Sequence, residues 1–198
     1  MLDNSPYIIA EVAQAHDGNL NIAHSFIDAV SKTGVNAIKF QTHYAEEETT
    51  KSEPWRKKFS WIDDSRYDYW QRIEFSREEW ITLSQHSRDV GLDFLSSPFS
   101  IKANNILYDC NMKYWKIASG ELTNYPLIDD ICSKDGKFII SCGLSEEAEI
   151  QQVVERIKNR GCDIISIMEC TSKYPTPLEE INLSRMVARG NLLNLSYG

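Results

Sequence analysis

The chain has 198 residues, a hydrophobic content of 42%, a charged content of 25% and a formal net charge of −8 at pH 7. This length can bury a sizeable core without disulfides or metals, so we expect one domain spanning residues 1–198. The acidic balance argues against nucleic acid or an anionic membrane surface as a partner.

The lack of a recognisable targeting signal and the spacing of the cysteines predict a cytoplasmic protein. No stretch approaches the roughly 18 consecutive apolar residues of a membrane span, and the N-terminus lacks the basic region of a signal peptide. The five cysteines are odd in number and widely spread, without a CxxC pair. Such usage is typical of reduced thiols rather than of a disulfide framework or a zinc site.

Short apolar runs alternate with helical segments along the whole chain. The predicted strands are Tyr7–Val12, Ala37–Gln41, Asp93–Ser96, Tyr114–Ser119, Phe138–Cys142, Ile164–Cys170 and Leu192–Tyr197. Residues predicted to begin helices are Asn19, Ser76 (with Glu79 in a capping box), Ser100, Asn124 and Ser145, and Pro177 precedes a last helix at about Leu178–Ala188. Glycines mark helix ends at Gly34, Gly91 and Gly161.

Strand–helix alternation of this kind predicts parallel strands joined by right-handed crossovers. A doubly wound sheet and a (β/α) barrel both fit the pattern. No GxGxxG follows the first strand and no P-loop occurs, which weakens nucleotide-binding folds. One segment, Thr42–Phe75, is far longer than usual connections and rich in aromatic and basic residues. We interpret it as a lid over the strand ends, with a solvated insertion holding its own aromatic cluster as the alternative.

Polar residues follow nearly every predicted strand, where the sites of parallel α/β proteins lie. Lys39 and Gln41 are spaced i, i+2 and therefore share one face of their strand. The other strand-end residues are Glu11, Ser97, Lys116, Ser119, Ser141, Ser172, Tyr174 and Ser196. Two lysines among hydroxyl groups suit a ligand that carries a phosphate and a carboxylate. Each lysine could also be merely structural, with its stem packed along a strand.

Other reactive residue types carry weaker signals. A lone loop histidine such as His16 is typically structural, whereas His43 could reach the pocket or pack beside it. Cys142 and Cys170 are interpreted as small buried hydrophobic residues, because no histidine has an evident pairing position.

Six ordered motifs resemble the sialic acid synthase family, which includes N-acetylneuraminate, legionaminic acid and pseudaminic acid synthases. The motifs are IIAEVAQAHDGN, AIKFQTH, FLSSPF, YWKIASGELTNYPL, IISCGLS and ECTSKYPTP. The resemblance implies a TIM-type (β/α) barrel that condenses phosphoenolpyruvate with an N-acetylated amino-sugar aldehyde, such as N-acetylmannosamine. It also implies release of phosphate, a nine-carbon 2-keto acid product, and Mn²⁺ or Mg²⁺ to polarise the aldehyde.

The resemblance also assigns roles to individual residues. Phosphoenolpyruvate contacts match Lys39, Ser97, Lys116, Ser119, Ser141 and Ser196. Glu11 matches an acidic residue at the reacting centre, and Gln41 and Tyr174 match sugar-side positions. Ser97 stands where threonine also occurs, and Ser172 where asparagine can occur.

The C-terminal end departs from the family pattern. Two metal-binding histidines, an eighth strand and a C-terminal antifreeze-like domain are expected after the seventh strand, and the sequence stops at Gly198. We therefore expect an incomplete barrel of seven strands whose metal ligands are not in this chain, and a homodimer in the full-length form. The alternatives are a non-catalytic remnant that binds a phosphorylated carboxylate or assembles with a partner, and a Schiff-base aldolase using Lys39 or Lys116.

Overall fold

The computed structural model describes residues 5–55, 57–134 and 136–198. The described chain contains seven strands and eight α-helices, and every paired strand runs parallel to its neighbour. Two compact units are formed, Met1–Lys113 and Tyr114–Gly198. None of the helices in the described ranges has both the length and the apolar character needed to cross a bilayer.

The first unit is a three-stranded sheet with helices. Its elements are β1 Ile9–Ala13, α1 Leu20–Val30, β2 Ala37–Thr42, α2 Ala45–Glu48, α3 Arg66–Ile73, α4 Arg77–Asp89, β3 Asp93–Pro98 and α5 Ile101–Asp109. The strand order is β1-β2-β3. Phe40 on β2 is fully buried and its ring lies 6.0 Å from Trp80 and 5.9 Å from Phe94, so helix α4 and strand β3 share one aromatic core.

The helix starts of this unit follow the predicted capping residues. The Asn19 side chain accepts hydrogen bonds from the backbone of Asn21 and Ile22, and Ser76 forms the predicted capping box with Glu79. Helix α1 ends at Val30 rather than at Gly34, because a turn intervenes before that glycine adopts φ +79°.

The long segment between β2 and α4 is more regular than predicted. It contains α2 and α3, and α3 begins with a Ser65–Asp68 capping box. The segment contains the aromatic cluster of the alternative interpretation, because the Phe59 ring meets Trp55 and Tyr69 edge-on at 4.9 and 4.8 Å. Arg72 ties α3 to the loop after β1 by donating to the Asp17 carbonyl oxygen at 3.0 Å.

The second unit is a four-stranded sheet in the order β4-β5-β6-β7. Its elements are β4 Trp115–Ile117, α6 Tyr125–Cys132, β5 Lys137–Ser141, α7 Glu147–Asn159, β6 Asp163–Met168, α8 Leu183–Leu193 and β7 Ser196–Tyr197, with 3-10 turns at Ser119–Glu121 and Leu178–Glu180. Helix α6 begins as predicted, with Asn124 as its cap and a proline in its first turn.

Strands β4, β5 and β6 have slightly different bounds from the predicted ones, and further differences involve the last two helices and the last strand. Helix α7 is capped by Glu146, one residue after the predicted Ser145. The last helix is not at Leu178–Ala188, because Pro177 begins only a 3-10 turn and the Asn182 side chain caps α8 instead. Asn194 then ends α8 in the left-handed conformation, so the seventh strand is reduced to Ser196–Tyr197.

Candidate functional site

The Lys39 ammonium group is the centre of a charged pocket in the first unit. Its Nζ lies 2.7 Å from Glu11 Oε2, donates to Ser97 Oγ at 3.2 Å and lies 3.5 Å from the Phe40 carbonyl oxygen. The lysine side chain is 8% exposed, whereas that of Glu11 is 44% exposed. A buried ammonium requires such partners, and a desolvated cation beside an exposed carboxylate suits the binding of an anion and the movement of a proton.

Parallel register explains why these residues meet. Glu11 is paired with Lys39 across β1 and β2, and Gln41 is paired with Ser97 across β2 and β3. The pairing register between β1 and β2 shifts after Glu11, because Ala13 adopts a φ of +51°. The Ala13 N–H donates to Glu11 Oε1 at 3.0 Å. The end of β1 therefore holds the carboxylate against Lys39, and the structure brings these predicted residues together.

A second polar group in this unit surrounds Gln41. The Gln14 amide nitrogen lies 2.6 Å from both Gln41 Oε1 and His43 Nε2, and His43 Nδ1 lies 2.6 Å from Glu48 Oε2. The His43 ring lies between two aromatic rings, Trp70 and Phe99, with centroid distances of 4.0 Å to each. Gln41 therefore belongs to a fixed network rather than to a flexible rim.

His16 is buried beneath this end of the sheet. The Gly18 N–H donates to its Nδ1 at 3.1 Å, and its ring lies 4.6 Å from that of Phe75. Burial lowers the pKa of the imidazole to about 4, so it stays neutral at physiological pH. Within the described ranges Nε2 has no hydrogen-bond partner. These contacts favour the structural role predicted for His16.

Lys116 forms a similar pocket in the second unit. Its Nζ donates to Ser141 Oγ at the end of the neighbouring strand and to the Ile117 carbonyl oxygen at 3.2 Å. Both side chains are buried. Lys39 has the same arrangement, with the next residue's carbonyl and a serine from the adjacent strand. The two units thus use one geometry to hold a buried lysine.

The other predicted residues of this unit lie further along the strand ends. Ser119 is half-buried at the start of a 3-10 turn, and the exposed Ser172 donates to the Gly143 carbonyl oxygen at 3.4 Å. Tyr174 is 99% exposed, and Ser196 is exposed in β7. Their assignment to a substrate remains a prediction.

Two features of this unit concern reactive or charged groups. Burial raises the pKa of the Cys142 thiol to about 12, which fits the predicted inert role. An unpredicted ion-pair network neutralises Glu169: Arg189 pairs with Glu169 and also with Glu147 at 3.0 Å, and Arg185 lies 2.5 Å from Glu169. Arg189 and Glu169 are each 8% exposed, whereas the Glu11 partner of Lys39 is 44% exposed, so we do not assign these arginines to an anion site.

Comparison with known families decides the classification. A family model described as the NeuB family matches residues 26–198. The chain belongs to the NeuB family. The resemblance deduced from the six motifs is thereby confirmed.

Individual relatives of this NeuB-family chain agree. It is 32% identical over 97% of its length to an uncharacterised protein of Methanocaldococcus jannaschii, and 30% identical over 96% to the N,N'-diacetyllegionaminic acid synthase of Campylobacter jejuni. It covers 54% and 59% of those proteins, so the chain spans little more than half the length of the curated relatives it matches.

A solved structure confirms the predicted TIM-type α/β fold. The N-acetylneuraminic acid (sialic acid) synthetase of Leptospira borgpetersenii, crystallised with citrate, matches with a TM-score of 0.80 and 26% identity. The match covers 95% of this chain and 62% of that one.

The metal expected from the NeuB family does not fit the side chains described. Across residues 5–55, 57–134 and 136–198, no three His, Cys, Asp or Glu side chains come together to hold an ion. We therefore assign no chemical step to a metal.

The partners of His43 were not predicted from the sequence. Glu48 and Trp70 lie in the long segment after β2, and Phe99 follows β3. Lys39, Gln41 and His43 are spaced two residues apart, and alternate residues share one face of a strand. This spacing was the available signal that His43 lies beside Gln41.

Proposed function

We propose that this chain is part of an enzyme that condenses phosphoenolpyruvate with an N-acetylated amino-sugar aldehyde, such as N-acetylmannosamine. Membership of the NeuB family and similarity to a legionaminic acid synthase and a sialic acid synthetase support this class of reaction. The single observation that carries it is the buried Lys39 ammonium between Glu11 and Ser97 at the strand ends.

Phosphoenolpyruvate carries a phosphate and a carboxylate, and the chain offers two buried lysines, each with a serine hydroxyl. In the first unit Lys39 with Ser97, and in the second unit Lys116 with Ser141, each offers a buried ammonium group and an oriented hydroxyl that suit an anionic group of this compound. We further assign Ser119 and Ser196 to phosphoenolpyruvate, Gln41 and Tyr174 to the sugar, and Ser172 to substrate binding, in accordance with the family motifs.

The proposed reaction forms one carbon–carbon bond and releases phosphate. The methylene carbon of phosphoenolpyruvate bonds to the aldehyde carbon, and the aldehyde oxygen takes a proton. A water oxygen bonds to C2 and one of its protons goes to the aldehyde oxygen. The bond from C2 to the phosphate oxygen then breaks, and the C2 hydroxyl becomes the keto group as its proton goes to the departing phosphate. Glu11, which is both ion-paired and half-exposed, orients the sugar or carries a proton between water and the aldehyde oxygen.

The test combines binding with turnover. Calorimetry measures binding of phosphoenolpyruvate to the chain and to its Lys39→Met variant, and a phosphate assay follows reaction with N-acetylmannosamine in buffer containing Mn²⁺. We expect binding to the parent chain, loss of binding in the variant, and phosphate release that depends on the aldehyde. Absence of phosphoenolpyruvate binding to the parent chain would contradict the proposal.

A second function is non-catalytic binding of a phosphorylated carboxylate. It is favoured by the completeness of each lysine–serine pocket within its own unit. Binding that requires Lys39, without phosphate release for any acetamido sugar, would assign this function instead.

A further inference from the structure

The network around His43 has a proton arrangement that its partners determine. Glu48 Oε2 lies 2.6 Å from His43 Nδ1, and the other carboxylate oxygen accepts the Tyr44 N–H at 2.8 Å. A carboxylate only accepts hydrogen bonds, so Nδ1 carries a proton and donates it. Side chains of His43 and Glu48 are 6% and 13% exposed, so water competes little for this bond.

The other ring nitrogen then acts as an acceptor. Gln14 Nε2 lies 2.6 Å from His43 Nε2 and 2.6 Å from Gln41 Oε1. The two N–H bonds of one amide satisfy both acceptors at once. His43 Nε2 also lies 3.3 Å from Gln41 Oε1. A proton on Nε2 could reach that oxygen only at this longer distance, and it would meet the Gln14 amide nitrogen at 2.6 Å, so Gln14 would have to turn its oxygen toward the ring.

The orientation of Gln41 is therefore set from Glu48 through His43 and Gln14. With its oxygen held by Gln14, the Gln41 amide group keeps its two N–H bonds on the other side. Gln41 is half-buried, and its nitrogen forms no hydrogen bond with the rest of the described chain. The Gln41 amide has a donor nitrogen and an acceptor oxygen, and its orientation decides which of the two faces a ligand. This relay of hydrogen bonds sets that orientation.

Aromatic packing keeps the relay in place. The His43 ring lies at 4.0 Å from Trp70 and at 4.0 Å from Phe99, with interplanar angles of 33° and 20°. Trp70 belongs to α3, so the long segment after β2 fixes the imidazole plane. Stacking on both faces leaves the ring only its two nitrogens for polar contacts, and both are engaged.

We propose that His43, held by Glu48, is a positioning residue that presents the Gln41 amide as a hydrogen-bond donor to an acceptor oxygen of the acetamido sugar. This inference rests on the proposed function for the identity of the ligand. The positioning itself rests only on contacts within the first unit.

The first experiment tests the relay without a ligand. Nitrogen-15 chemical shifts of the His43 ring distinguish a protonated from an unprotonated nitrogen. We expect a proton on Nδ1 and none on Nε2, and we expect the Glu48→Gln variant to lose this preference. A proton on Nε2 in the parent chain would overturn the inference.

The second experiment uses a pair of variants that separate packing from hydrogen bonding. His43→Phe keeps the stack between Trp70 and Phe99 but removes both nitrogens, whereas His43→Gln loses the stack and keeps an acceptor for Gln14. We expect His43→Phe to weaken binding of N-acetylmannosamine about tenfold, the effect of losing one oriented hydrogen bond. We expect His43→Gln to restore most of the affinity and phosphoenolpyruvate binding to stay unchanged in both.

The matched control is the Asp28–His86 pair on α1 and α4, where His86 Nε2 lies 3.1 Å from Asp28 Oδ1. Asp28→Asn should leave binding of both compounds unchanged. Equal sugar binding by the parent chain and His43→Phe would overturn the inference. If the parent chain binds neither compound, the proposed function fails, and the nitrogen shifts together with the Gln14 and Gln41 amide signals still decide the relay.

Discussion

Lys39 Nζ lies 2.7 Å from Glu11 Oε2, and the two side chains differ sharply in exposure, 8% against 44%. The lysine depends on the protein for its partners, whereas the carboxylate can be hydrated. Replacing the lysine and replacing the carboxylate should therefore affect binding, chemistry and stability differently.

Glu11→Gln should separate binding from turnover. Without the competing carboxylate, Lys39 attracts an anion more strongly, so we expect phosphoenolpyruvate affinity to rise about threefold to tenfold. Loss of a proton-carrying group should lower condensation about 100-fold. The buried lysine loses its counter-ion, so urea unfolding should show a loss of about 2 kcal/mol. Weaker phosphoenolpyruvate binding in this variant would contradict the assignment.

Lys116→Met should weaken phosphoenolpyruvate binding about 100-fold, because a buried ammonium is exchanged for an apolar side chain of similar length. Stability should change little, since burying the charge was itself costly. Lys137→Met is the control, because Lys137 is exposed at the start of β5. Calorimetry that gave the same affinity for both variants would show that Lys116 does not contact the ligand.

His16 should make the fold sensitive to acid. Its pKa is about 4 in the folded chain, against an ordinary value of 6.5, and the largest cause is burial. The folded state holds the imidazole neutral, so this stability is complete above pH 6.5 and is lost as pH falls toward 4. The loss approaches roughly 3 kcal/mol.

Urea unfolding at pH 7 and pH 4.5 measures the effect. His16→Gln keeps a polar side chain that does not titrate, so the pH dependence of its unfolding free energy should be smaller than that of the parent chain. An unchanged dependence would assign the acid sensitivity to other groups.

Gly143→Ala should disturb the loop after β5. An added Cβ would lie 2.7 Å from the Cys170 carbonyl oxygen and 2.8 Å from its Cβ, so backbone would have to move. We expect a loss of about 1–3 kcal/mol in unfolding free energy. Gly120→Ala is the matched control in the loop after β4, because nothing lies within 4 Å of the added carbon. Equal stability of the two variants would show that the loop relaxes freely.

Much of the Lys39 pocket could be predicted because it depends on short-range rules. Alternate residues share a strand face, and carboxyl ends of parallel strands meet, so Lys39, Gln41 and Ser97 were brought together by periodicity alone. Helix caps at Asn19 and Ser76 were likewise visible in local sequence.

The remainder depended on contacts that sequence spacing does not encode. Trp70 reaches His43 only because the long segment folds back as α3. The last helix was misplaced because two adjacent start signals compete, and the side-chain cap of Asn182 prevails over Pro177. Pairing of Arg189 with Glu169 follows from that corrected helix and was therefore not predicted.

The most direct test of the proposed condensation uses phosphoenolpyruvate labelled with oxygen-18 in the bridging C–O–P position. The chain is incubated with this compound and N-acetylmannosamine, and mass spectrometry measures the oxygen-18 content of the released phosphate. Cleavage of the C–O bond predicts phosphate that retains the label and appears only with the aldehyde present, together with a nine-carbon 2-keto acid. Unlabelled phosphate, or labelled phosphate released without the aldehyde, would contradict the account.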